Sequence, residues 1–149
     1  MDISGSMRGD KISSARRSLL QFIDLLDDRD QLEIILFSDD LVTLTPLSPL
    51  GEKRDDVTRR VSGIVEQGDT NLYRAIDTAY GELLGSGEPR RIWAMLVLSD
   101  GEDTDHDMTL DQPLANLGST AEAGISSKDF ALALGEQADR SILERIAET

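Results

Sequence analysis

Residues 91–101 read Arg-Ile-Trp-Ala-Met-Leu-Val-Leu-Ser-Asp-Gly. The apolar run from Ile92 to Leu98 has no polar alternation, which describes a strand covered on both faces. Ser99–Asp100–Gly101 then turns the chain away from it. Such a strand belongs to a mostly parallel sheet with helices on either side. The segments around it supply that pattern.

Upstream, the spacing predicts a helix over about Asn71–Leu84, with Leu72, Ala75, Ile76, Ala79, Tyr80 and Leu83 on one face. Gly85, Gly87 and Pro89 end it. A further helix is expected over about Glu52–Val65, burying Val57, Val61, Ile64 and Val65, and another over about Asp10–Asp27, burying Ile12, Ala15, Leu19, Phe22, Ile23 and Leu26. Between these two, Gln31–Phe37 reads as a buried strand. Leu41–Leu44 reads as its short antiparallel neighbour, followed by a loop punctuated by Pro46, Pro49 and Gly51. Downstream, Glu102–Asp111 is an acidic solvated loop, and a helix falls within Leu114–Ala123. Phe130–Leu134 is a last short strand, and Ser141–Glu148 a closing helix facing inward with Ile142, Leu143 and Ile146. Strands alternating with helices give an α/β, Rossmann-like fold, whose ligand sites lie where loops leave the carboxyl ends of the strands.

Composition narrows the chemistry. The 149 residues suit one domain. The absence of Cys excludes disulfides, zinc–thiolate sites and a cysteine nucleophile, and His106 is the only histidine, so no multi-histidine metal site can form. A net charge of -14 argues against nucleic acid and anionic membrane surfaces and is compatible with cations. No apolar run approaches the roughly 20 residues that span a bilayer, so no membrane insertion is expected. The first residues lack the basic end and apolar core of a secretory signal. Together with the lack of Cys this points to a cytoplasmic location.

Three loops fall at the carboxyl edge of this sheet: Asp2–Ile3–Ser4–Gly5–Ser6, Gly68–Asp69–Thr70–Asn71 and Ser99–Asp100–Gly101. They offer the carboxylates of Asp2 and Asp100 and the hydroxyls of Ser4, Ser6 and Thr70. In an extended segment alternate residues share a side, so Asp2, Ser4 and Ser6 can converge. Hard oxygens of this kind suit Mg²⁺, with Mn²⁺ or Ca²⁺ as substitutes. Two charges and three neutral donors leave a coordination position to water, which a carboxylate from another molecule can take.

D-x-S-G-S followed by Met, a downstream G-D-T-N-L and an apolar strand ending in S-D-G-E closely resemble the von Willebrand factor type A domain and its metal-ion-dependent adhesion site. The likeness runs from Asp2 to about Ala147. It implies that Ser4, Ser6 and Thr70 bind the metal through their hydroxyls, and that Asp2 and Asp100 bind it directly or through water. The implied partner is a protein whose Glu or Asp completes the octahedron.

The same likeness implies an apolar strand before D-x-S-G-S, at the centre of the sheet, and an edge strand after the closing helix. Here only Met1 precedes Asp2. Strands lie roughly 4.8 Å apart, so leaving out a central one opens a gap wide enough for another. Each buried unpaired backbone group there costs about 1–3 kcal/mol. Three outcomes are open: the chain is a fragment of a longer protein, which is the expectation; another chain donates the strand by exchange or dimerisation; or the neighbouring strands close up.

Plainer readings compete. Ser4, Ser6, Asp69 and Thr70 precede helices, where such residues act as N-caps. Trp93 and Tyr80 sit at core-type positions. Glu102–Asp111 does not make a calcium loop, since counting from Asp103 the sixth and twelfth positions are Met108 and Leu114 instead of Gly and Glu. The alternative function is Mg²⁺-dependent phosphoryl transfer with Asp2 as nucleophile, as in haloacid dehalogenase-like phosphatases. That family wants a second Asp two residues on, where this chain has Ser4. No nucleotide-binding glycine motif is present. A metal-dependent protein-binding module that is not an enzyme is the expected function.

Overall fold

The computed structural model describes residues 1–86, 91–104, 108–115, 127–136 and 138–147. His106 and most of the helix expected within Leu114–Ala123 lie outside them. In chain order the elements are α1 (Asp10–Leu25), β1 (Gln31–Phe37), β2 (Leu41–Pro49), α2 (Arg54–Ser62), α3 (Leu72–Gly85), β3 (Trp93–Ser99), α4 (described over 111–115), β4 (Ser127–Ala133) and α5 (Arg140–Ala147).

The strands form two pairs. β1 and β2 are antiparallel, and β3 and β4 run parallel in unbroken register from Trp93–Ser127 to Ser99–Ala133. Residues 1–3 stitch the pairs together. Phe37 N donates to Met1 O at 3.0 Å, Ile3 N to Phe37 O at 2.9 Å, and Asp2 N to Leu98 O at 2.8 Å. Met1 N donates to Ile35 O at 2.7 Å. The spatial order is therefore β2, β1, residues 1–3, β3, β4, the α/β arrangement expected from the sequence.

The sheet has a core on each face, because alternate strand residues point to opposite sides. Ile34 and Leu36 of β1 and Leu98 of β3 pack with Met7, with Ile12, Ala15, Leu19 and Ile23 of α1, and with Val57 and Val61 of α2. Phe37, Met95 and Val97 pack on the other side with Leu72, Ala75, Ile76 and Tyr80 of α3 and Leu143 and Ile146 of α5. Tyr80 and Trp93 are buried, as core positions should be.

Residues 1–3 fill only one end of the space between β1 and β3. Toward the starts of both strands lies a groove of about 630 Å³, lined by Met1, Phe22, Ile34, Leu83, Ile92 and Leu96 among others. The neighbouring strands do not close up.

Several boundaries differ from the sequence reading. β2 runs through Pro46 to Pro49 instead of stopping at Leu44. It pairs only with β1 among the described residues, and an edge strand tolerates a missing N–H. The second helix begins as a 3₁₀ turn, Gly51–Lys53, and stops at Ser62, capped by Gly63. Val65 therefore lies beyond the helix and is exposed, not on its buried face. β4 starts at Ser127, before the apolar run.

Candidate functional site

The first loop follows directly from the stitching residues. Asp2 is fully buried. Its Oδ1 accepts Ser4 N at 2.9 Å and its Oδ2 accepts Ser99 Oγ at 2.7 Å. The chain then turns through a 3₁₀ element, Gly5–Met7. Ser6 thus does not follow Ser4 by simple extended alternation. The turn brings the two hydroxyls together, and Ser4 Oγ and Ser6 Oγ share a hydrogen bond of 2.9 Å. Ser4 precedes the turn but makes no side-chain cap. The residues that cap α1 and α3 are Gly9 and Asn71, also without side-chain caps. Capping therefore does not occupy the hydroxyls of Ser4, Ser6 or Thr70.

The second loop is pinned from two sides. Gly5 N donates to Gly68 O at 2.8 Å, and a Cβ on Gly5 would lie 3.3 Å from that oxygen. Gly68 has φ +70, and a Cβ there would collide with the Asp39 carboxylate. Asp39 Oδ1 accepts Asp69 N at 2.6 Å, and its carbonyl accepts Asn71 Nδ2 at 2.6 Å. Thr70 is buried.

The third loop closes on the other two. Ser99 Oγ accepts Gly101 N at 3.0 Å while donating to Asp2, so one hydroxyl joins the first and third loops. Thr104 clasps Thr70: Thr104 N donates to Thr70 O at 2.9 Å, and Thr70 N donates to Thr104 Oγ1 at 2.9 Å. Asp100 is 1% exposed. Its Oδ1 accepts Glu102 N at 3.3 Å and its Oδ2 accepts Lys11 Nζ at 2.7 Å. Asp100 O accepts Asp139 N, just before α5, at 2.7 Å. Asp39, Ser99, Thr104 and Lys11 are the supporting residues that sequence reasoning missed. Only Ser99, inside the S-D-G turn, carried a local signal.

Electrostatics set the two carboxylates apart. Burial pushes the Asp2 carboxyl up, opposed by the hydrogen bonds from Ser99 and Ser4, and the Asp100 charge adds to the rise. Asp100 has Lys11 as an ion-pair partner. Among the described residues no Lys or Arg side chain pairs with Asp2. A buried charge without a counter-ion is costly. A hard cation, attracted by both carboxylates and solvated by neutral hydroxyls, fits that donor set. No three Asp, Glu or His side chains converge among the described residues, so a metal held at this end would draw on hydroxyl oxygens. The phosphoryl-transfer alternative calls for a second Asp two residues after Asp2, where the chain has Ser4.

The chain resembles several known proteins. It is 30% identical over 159 residues to inter-alpha-trypsin inhibitor heavy chain H4 of Bos taurus, covering 99% of this chain and 17% of that protein. It thus spans about a sixth of the curated relatives' length. Among solved structures, the manganese-loaded TRAP protein of Plasmodium vivax superposes with a TM-score of 0.76 at 18% identity, over 99% of this chain and 60% of that one. Proximal thread matrix protein 1 of the mussel byssus, with zinc occupying its MIDAS motif, superposes with a TM-score of 0.73 at 18% identity, over 99% of this chain and 39% of that one. The family model for the von Willebrand factor type A domain matches residues 1–149. The stitched sheet, its two helical layers and this match agree, and the chain belongs to the von Willebrand factor type A domain family.

Proposed function

We propose that this domain is a divalent-metal-dependent protein-binding module. Asp2, Ser4, Ser6, Thr70 and Asp100 hold one Mg²⁺, with Mn²⁺ or Ca²⁺ as substitutes, and a Glu or Asp of a partner protein completes the coordination. One observation carries the reading: Asp2 is a buried carboxylate with no cationic side-chain partner among the described residues, set beside hydroxyl oxygens on loops tied to one another. A small dication supplies the missing charge. The metal-loaded relatives of the same fold support the choice of a divalent ion. Neutral hydroxyl donors leave the ion's charge only just balanced, so it keeps its attraction for an incoming carboxylate. Binding of this kind needs neither nucleophile nor general base, and the module is not an enzyme.

Isothermal calorimetry on the chelator-stripped chain tests the metal. Saturable Mg²⁺ uptake in the millimolar range, lost in Asp2→Asn and weakened in Ser4→Ala, is the expected result. A wild-type chain that takes up no divalent ion overturns the reading. An array of Glu- and Asp-containing peptides tests the partner. Retention in Mg²⁺ that chelator abolishes is expected, and equal retention with and without chelator rejects the carboxylate bridge.

A further inference from the structure

We infer that Lys11 is a built-in competitor for the metal, a tethered cation on Asp100 that lowers the affinity of the site for a divalent ion. The inference rests on the metal-binding reading above and adds a residue outside the proposed donor set.

Lys11 Nζ lies 2.7 Å from Asp100 Oδ2, and the two side chains are 25% and 1% exposed. The carboxylate is sealed in while the lysine side chain is only partly buried. The lysine also occupies a position that helix energetics disfavour. It stands in the first turn of α1, where the free N–H groups repel a cation. What holds it there comes from 89 residues further along the chain. Its stem is seated as well. A Cβ on Gly135 would lie 2.6 Å from Lys11 Cε and 3.3 Å from Cδ. Gly135 has φ +94, a conformation that favours glycine. The adjacent Leu134 N donates to Ser99 O at 3.1 Å, which fixes this floor beside Asp100. The bare backbone after β4 thus leaves a channel along which the lysine reaches the carboxylate.

Charge counting gives the consequence. Asp2 and Asp100 would balance a divalent ion, since the three hydroxyls are neutral. With the Lys11 ammonium beside Asp100, loading leaves an excess positive charge in a buried place. The ion must work against that charge or displace it, so uptake weakens. The loaded site, by the same count, attracts an acidic partner more strongly.

The test compares Lys11→Met, which keeps the stem without the charge, Lys11→Gln, which keeps a hydrogen-bond donor without the charge, and Lys11→Arg, which keeps the charge. Mg²⁺ affinity is read by calorimetry and by the metal-induced shift in melting temperature. Both neutral variants are expected to bind Mg²⁺ about tenfold more tightly than wild type, for removal of a like charge at a poorly solvated site. The Arg variant should stay within about twofold of wild type, because the charge is retained. Without metal, Lys11→Met should melt lower, since Asp100 is left buried without a counter-ion, and Mg²⁺ should restore it. Neutral variants that bind Mg²⁺ no more tightly than wild type, with unchanged circular dichroism, overturn the role of Lys11 and leave the metal site standing. If wild type takes up no Mg²⁺, the metal-binding reading fails, and this inference fails with it.

Discussion

At the loop end of the space between β1 and β3, residues 1–3 join the two strands by backbone hydrogen bonds, and Ser99 Oγ adds a side-chain tie to Asp2. Toward the starts of the same strands, nothing among the described residues pairs across, and a groove of about 630 Å³ remains. The two ends differ in sequence: β1 starts Gln31–Leu32–Glu33 and ends Ile35–Leu36–Phe37, whereas β3 is apolar from Trp93 to Leu98. They differ in polar satisfaction as well: at the stitched end backbone partners exist and the Asp2 and Asp100 carboxylates are buried, whereas at the groove end Ile92 is exposed and Leu32 and Leu96 are half-buried beside the buried Ile34 and Trp93. At the stitched end, completed backbone hydrogen bonding and burial of apolar side chains go together.

Three measurements probe that contrast. The largest effect is expected from truncating equivalent leucines at the two ends. Leu98 is fully buried at the stitched end, whereas Leu32 is half-buried on the lip of the groove. Leu98→Ala should cost about 3–5 kcal/mol in urea unfolding and Leu32→Ala no more than about 2, since the cost follows burial and the cavity left behind. Equal losses would mean that the groove end is as tightly packed as the loop end. A middling effect is expected from Gly68→Ala. It places a side chain at φ +70 and displaces Asp39 from Asp69 N, so a loss of about 1–3 kcal/mol should appear. A neutral result would show that the second loop is not pinned. The smallest effect is kinetic. Amides of Gln31–Ile34 and Trp93–Leu96 that face the gap should exchange hydrogen faster than those of Asp2, Ile3 and Phe37. Uniform protection along both strands would erase the distinction between the ends.

Much of this architecture is legible in the sequence. The Ile12–Ala15–Leu19–Ile23 stripe places α1, and the unbroken apolar runs place β1 and β3, because periodicity reports burial directly. β2 is misjudged for a physical reason: Pro46 and Pro49 signal a loop to a local reading, yet an edge strand accommodates them. Val65 is misplaced because Gly63 stops the helix before the stripe ends. At the candidate site, residue type and spacing single out the proposed oxygen donors, but the supports are out of reach. Asp39 acts on Asp69 across 30 residues, Thr104 on Thr70 across 34, and Lys11 on Asp100 across 89. None of those distances leaves a periodic or local mark.

The tie between Ser99 and Asp2 spans 97 positions of chain. On a ribosome, which elongates at roughly 5–20 residues per second, Asp2 therefore emerges seconds before its partner exists. Until Ser99 follows, that carboxylate remains hydrated and the loops cannot assemble. The three loops are therefore among the last parts of the domain to come together.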